Sequence, residues 1–118
     1  MPVDRKNLLA WQWSDYAAKH RSRVNLLIHI GAVPLFQAGA LLFVWGVLGF
    51  SLTVAAFGAA CMLVSVALQG RGHRLEAEAP TPFAGAGDVV ARLVAEQWVT
   101  FPRFVLSGGW YRNLTRGS

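Results

Sequence analysis

The residues of this chain best suited to chemistry are its three histidines, His20, His29 and His73, with Glu76 three positions beyond the last. Imidazoles with a carboxylate are the usual ligand set of a non-haem iron that keeps open positions for oxygen and substrate, and zinc accepts the same donors. If the segment after His73 is helical, His73 and Glu76 project from one face. His20 and His29 are nine residues apart, which on a straight helix places them about 180° apart. They converge only if the chain bends between them, around Ser22 to Asn25. The plainer alternative makes each histidine an interfacial polar group near a helix end. A shared metal site is favoured because all three map to one face of a chain otherwise poor in polar residues, where placing an ionisable group costs stability. The single cysteine, Cys61, has no partner for an intramolecular disulfide and reads as a packing residue.

Polar residues near the histidines extend the candidate site. Pro34 cannot donate to the carbonyl of Ile30, which it frees, and it kinks the helix next to His29. Gln37 is placed to satisfy that carbonyl or to line a polar cavity, and Gln69, one turn before His73, to do the same from the other side. Asn25 stands at the expected bend.

The elements that must position these groups follow from the charge distribution. Of 118 residues, 54% are apolar and 14% charged, against about 25% charged in an ordinary soluble domain. Arg23 and Arg71 bracket 47 residues, Val24 to Gly70, without an Asp, Glu, Lys or Arg. A crossing of a bilayer core of about 30 Å needs roughly 20 apolar residues, so the block suffices for two. Gly46, Gly49 and Ser51 mark a break, and the expectation is an all-α, integral membrane helical hairpin with spans at 27–48 and 51–70. The alternative is a hairpin buried inside a soluble α-domain. Small residues around Cys61 (Ala55, Ala56, Gly58, Ala59, Ala60) favour close packing of the two helices.

Both flanks read as interfacial helices of the same single domain. The first, at 5–20, carries Trp11, Trp13 and Tyr16 with Asp4 or Asn7 as caps. The second, at 88–106, is capped by Asp88 and has a stripe of Val89, Val90, Leu93, Val94, Trp98 and Phe101. It is too charged to span and should lie along the membrane or cover the ends of the spans. Pro102 interrupts it, and Gly108 with Gly109 ends order before Trp110 and Tyr111. Basic residues on both flanks and none at the hairpin turn place both termini in the cytoplasm. The net charge of +5 suits anionic lipid headgroups. No basic run interleaved with aromatics suggests nucleic-acid binding, and the charged N-terminal stretch lacks the apolar core of a signal peptide.

Two ordered motifs carry a family resemblance. Tyr16, His20, Asn25, His29 and Pro34, then Gln69, Gly72, His73, Glu76 and Pro80, resemble the two signatures of the fungal 2-hydroxy fatty acid dioxygenase family and its bacterial relatives of unassigned function. They frame the hairpin and cover roughly residues 16–83. Glu96-Gln97, Phe101 to Phe104 and Gly108 to Trp110 resemble the bacterial branch only. The resemblance implies a protein of the endoplasmic reticulum or bacterial inner membrane that uses histidine-bound Fe(II) and O2 to shorten 2-hydroxy fatty acids by one carbon. Carried over, the metal ligands are His20, His29 and His73, with Glu76 as fourth ligand or as the acceptor orienting an imidazole, and zinc as the other metal those donors suit. The substrate's 2-hydroxycarboxylate would chelate the iron, its chain would stay in the bilayer, and Arg21, Arg23, Arg71 and Arg74 are the candidates to receive the carboxylate. Fungal members are longer, with further membrane segments and histidines, whereas this chain has no fourth histidine. A haem held by two histidines lacks any accompanying signature. The rival reading is a non-enzymatic small membrane protein, a structural or interaction module. Two spans can hardly enclose a site alone, so a homo-oligomer is expected either way.

Overall fold

A computed structural model of the chain describes residues 6–116; Asp4 and Arg5, one proposed cap and one of the topogenic basic residues, lie outside them. All regular structure among the described residues is helical. Helix α1 is Leu8–Ser14, followed by turns through Lys19 and an irregular connection over 20–22 that ends with Ser22 extended. Asn7 sits at its N-cap position without a side-chain cap. Helix α2, Arg23–Leu48, begins where the Ser22 hydroxyl accepts the Asn25 N–H at 3.3 Å, and helix α3, Leu52–His73, where Ser51 accepts that of Val54 at 3.3 Å. At 26 and 22 residues they are about 39 and 33 Å long, long and apolar enough to cross a membrane.

The hairpin turn closes with Ser51 N–H on Gly46 O at 2.8 Å and Phe50 N–H on Val47 O at 3.2 Å. This is the Schellman arrangement, with Phe50 at φ 54° in the position usually given to glycine.

The helices meet along a seam of small residues spaced by seven: Asn25, Ala32, Gly39 and Gly46 on α2, and Gly58, Ser65 and Gly72 on α3, all buried. A period of seven keeps one stripe facing the partner helix. The approach is close enough that a Cβ on Gly46 would lie 2.3 Å from Ala55 N and one on Gly58 2.4 Å from Phe43 N. The outward faces stay bare. Only 28% and 17% of the most apolar windows of α2 and α3 are buried, and Trp45, Leu48, Leu52 and Leu63 are exposed. A hairpin in the core of a soluble domain would have these faces covered.

The remaining elements pack over the end of the hairpin where α2 begins and α3 finishes. Helix α4, Ala86–Ala95, runs through a π-helical turn, Glu96–Thr100, into α5, Phe101–Leu106, and α6 is Gly109–Arg116. Three local expectations are corrected here. Gly85 holds the N-cap position of α4, while Asp88, inside its first turn, accepts Ala84 N–H at 3.0 Å. Pro102 does not interrupt the helix, because it falls in the first turn of α5 after the π turn has rearranged the ladder. The chain after Gly108 is helical: Trp110 Nε1 donates to Leu26 O at 2.9 Å and Asn113 Nδ2 to His20 O at 2.8 Å. The core accordingly lies at this end of the molecule, in Tyr16, Leu26, Val33, Phe101 and Phe104.

Candidate metal centre

Four separate segments converge beneath this cap. His20 comes from the connection before α2, His29 from the second turn of α2, His73 from the last residue of α3, and Glu96 from the first residue of the π turn. One donor atom from each lies within 4.8 Å of the others. The bend that joins His20 to His29 is the break in helix between Ser14 and Arg23, slightly ahead of the expected Ser22 to Asn25.

The three imidazoles stand nearly perpendicular to one another. Their centroids are 5.1 Å apart for His20 and His29 and 4.9 Å for each with His73, at interplanar angles of 80° to 90°. His20 Nδ1 lies 2.7 Å from Tyr16 O and His29 Nδ1 3.1 Å from Asn25 O. A carbonyl accepts only from a protonated nitrogen, so each Nε2 of the neutral ring is left with its lone pair. His20 Nε2, His29 Nε2 and His73 Nδ1 are buried without a hydrogen-bond partner. Such groups are costly and uncommon, and three together call for a common partner.

Glu96 supplies the carboxylate. Its Oε2 is 3.4 Å from His20 Nε2 and 3.7 Å from His29 Nε2, long for hydrogen bonds. Neighbouring ligands about 2.1 Å from one ion stand about 3.0 to 3.4 Å apart, for octahedral and tetrahedral geometry respectively, so these two contacts come close to the spacing of donors around a shared cation. Burial alone would raise the carboxyl's pKa, but the hydrogen bonds and charge that His20 and His29 offer when their Nε2 atoms carry protons, as a metal-free centre allows, outweigh it and hold Glu96 well below the usual range. The Tyr16 phenol donates to the same Oε2 at 2.7 Å, and burial, followed by the Glu96 charge and this bond, pushes its pKa well up.

Glu76 is not in the group. Helix α3 stops at His73, so the i, i+3 relation is lost, and the carboxylate turns to the start of α2. There it accepts from Arg21 N–H at 2.9 Å, Ser22 N–H at 3.1 Å and Asn25 Nδ2 at 2.6 Å. It anchors the first turn of α2, where a negative charge is favourable. Asn25 thereby links this anchor to His29. Gln37 does not reach the Ile30 carbonyl: it donates to Gln97 O at 2.7 Å. Gln69 and Gln97 exchange side-chain hydrogen bonds of 2.8 and 2.9 Å.

A cavity of about 490 Å³ opens beside the cluster, with His20, His73, Glu96, Tyr16 and Gln69 in its wall and Trp11, Val66, Leu93 and Phe83 making it largely apolar. Arg74 lines it; Arg21, Arg23 and Arg71 do not. Arg23 instead donates to Leu114 O at 3.2 Å. Lys19, which sequence reasoning passed over, also lines the cavity, bridged to Asp15 at 3.0 Å and Thr81 Oγ1 at 3.0 Å. The connection after α3 is held against the cavity by Arg92, which donates to Thr81 O at 2.8 Å and lies 4.2 Å from the Phe83 ring.

Glu96 is the main residue that sequence reasoning missed. Glu96-Gln97 carries a resemblance but no assignable role from sequence, because no spacing rule links it to His73 across the intervening connection. Comparison of the chain with protein-family models, with curated proteins and with solved structures finds no match in any of the three.

Proposed function

We propose that this chain is an integral membrane metalloprotein in which His20, His29, His73 and Glu96 hold one divalent ion, and that it acts as a non-haem Fe(II) dioxygenase on 2-hydroxy fatty acids. The observation that carries the reading is the convergence of three unpartnered, buried imidazole nitrogens with the Glu96 carboxylate, with His20, His73 and Glu96 in the wall of a mostly apolar cavity. A non-enzymatic module would have no use for three orphaned nitrogens beside a cavity. Four protein ligands leave positions open on a six-coordinate iron, whereas zinc would be closed by the same four. Iron in such a site supplies O2 activation and a chelation point for a hydroxy acid.

The chain's own residues would do the rest. The apolar cavity wall takes the alkyl chain out of water, and Arg74 attracts the acid end. The overall change balances as 2-hydroxy acid plus O2 giving the acid one carbon shorter, carbon dioxide and water. The bare apolar faces of α2 and α3 belong in lipid. Arg21, Arg23, Arg71 and Arg74 at one end of the hairpin support cytoplasmic termini in a bacterial inner membrane, and part of the bare surface is available for a homo-oligomer.

The test has two stages. Protein purified anaerobically in detergent should contain about one iron per chain, and His29→Ala and His73→Ala should abolish it. Full-length protein without bound metal, and unable to take up Fe(II) or Zn(II), would overturn the metal site. Incubation of the iron form with a 2-hydroxy long-chain acid and O2 should then give the acid one carbon shorter. Its absence from an iron-loaded protein would overturn the reaction and leave the metal centre standing.

A further inference from the structure

Tyr16 touches two of the four candidate ligands at three points. Its hydroxyl donates to Glu96 Oε2 at 2.7 Å. Its ring stacks on His20, centroids 3.8 Å apart and planes within 16° of parallel. Its main-chain carbonyl faces His20 Nδ1 at 2.7 Å. The side chain is buried in the core, against Phe104 at 5.1 Å, and so has little freedom of its own.

The Glu96 carboxylate needs such a partner. It projects from a π turn, its contacts to His20 and His29 are longer than hydrogen bonds, and a glutamate has three side-chain torsions to restrain. Groups that hold a metal ligand in place matter almost as much as the ligand. Resting on the metal reading above, we propose that Tyr16 is the positioning residue of the centre, aiming Glu96 Oε2 at the donor atoms of His20 and His29 while fixing the ring and tautomer of His20. Because the phenol donates to the oxygen nearest the imidazoles, it also draws charge from that oxygen. The Tyr16 hydroxyl therefore tunes the ion as well as placing a ligand.

Full-length protein in detergent micelles, stripped of metal and titrated with Co(II), tests this. Tyr16→Phe keeps the stacked ring and the main-chain carbonyl and loses only the hydroxyl. It should weaken Co(II) binding about 10- to 100-fold and shift the Co(II) visible absorption bands, and it should lower the melting temperature more with metal than without it. The only other tyrosine is Tyr111, which is exposed. In a Tyr111→Phe background, replacement of tyrosine by 3-fluorotyrosine strengthens the phenol as a donor at Tyr16 alone. That protein should retain Co(II) affinity and shift the bands in the direction opposite to Tyr16→Phe.

Unchanged affinity and an unchanged spectrum in Tyr16→Phe would overturn the proposal. Equal losses of stability with and without metal would do the same, since that is the behaviour of a packing residue. Should Tyr16→Phe fail to fold, an unmoved spectrum in the fluorotyrosine protein overturns it. A parent chain that takes up no Co(II) would overturn the metal reading itself.

Discussion

The Gln37 side chain donates to the main-chain carbonyl of Gln97 at 2.7 Å, across 60 residues of sequence. The bond has a cause in the π turn. Phe101 N–H reaches back to Glu96 O rather than to Gln97 O, and Pro102, one residue later, has no N–H to give. The Gln97 carbonyl is therefore left without a main-chain donor in a buried position, and Gln37 from α2 supplies one. The π turn is the element that presents Glu96, as such turns often do at functional sites. A residue of the hairpin thus stabilises the backbone shape on which the carboxylate depends.

Gln37→Leu should strand that carbonyl and cost about 1–3 kcal/mol of stability, with weaker metal binding as Glu96 loses its support. Pro102→Ala restores an N–H next to the stranded group, so the double variant should recover part of the loss. Thermal unfolding of both variants and the double variant in detergent, arranged as a double-mutant cycle, measures the coupling. Strict additivity would mean that Gln37 and Pro102 act independently, against this account.

Metal removal should loosen the cap over the hairpin more than the hairpin itself. The four candidate ligands come from four separate segments that a bound ion would tie together in addition to their core packing, while α2 and α3 are locked along their small-residue seam without it. At a free metal concentration 1,000 times Kd the bound ion adds about 4 kcal/mol. Chelation should lower the melting temperature by several degrees and make the connection between α3 and α4 cleavable by protease. His29→Ala should melt alike with and without metal. Protection of that connection that is insensitive to chelator would argue against coupling of the cap to the site.

Glu96 contributes to the acid limb of stability. Its carboxyl lies below its ordinary value near 4.5. A carboxyl depressed on folding contributes its full stabilisation above the unfolded pKa and loses it as pH falls through the folded one. Metal-free protein should therefore lose stability as pH drops below about 4.5, and Glu96→Gln should flatten that loss while leaving the neutral-pH hairpin intact. Melting temperatures from pH 3 to 7 for both proteins give the comparison, and parallel curves would count against the assignment.

The hairpin was legible because charge is costly in an apolar span: the bracket from Arg23 to Arg71 nearly coincides with α2 and α3, with only Gly49, Phe50 and Ser51 between them. The small residues around Cys61 predict close packing, and Gly58 among them lies on the seam, whereas the seven-residue spacing of Asn25, Ala32, Gly39 and Gly46 emerges only from the structure, since Asn25 and Gly46 read locally as a bend and a break. His20 and His29 required a bend, and the helix break after Ser14 provides one. Glu76 misled because local spacing assumes that the helix continues, whereas α3 ends at His73. Glu96 could not be placed by any local rule, since its direction depends on the π turn and hence on Pro102 and Gln37 together. Local periodicity reports which face a residue shares with its neighbours; it does not report how a capping segment folds back onto that face.

Gly72 lies where the seam and the site meet, and a methyl group there gives the sharpest local test. A Cβ on Gly72 would fall 2.0 Å from Asn25 Oδ1, so the buried Asn25 side chain, which holds Glu76, would have to shift. Asn25 holds Glu76 through its side chain and His29 through its carbonyl, and Gly72 precedes His73. Gly72→Ala should therefore cost about 1–3 kcal/mol through overpacking and reduce metal affinity by displacing His29 and His73 at once. Gly70→Ala is the matched control. It stands two residues away on the same helix with nothing within 4 Å of the added carbon, so the higher helix propensity of alanine should leave it neutral or more stable by up to about 1 kcal/mol. Unfolding curves and Co(II) titrations of the two variants decide the matter. Similar behaviour would show that the close approach of Asn25 and Gly72 does not hold the site together.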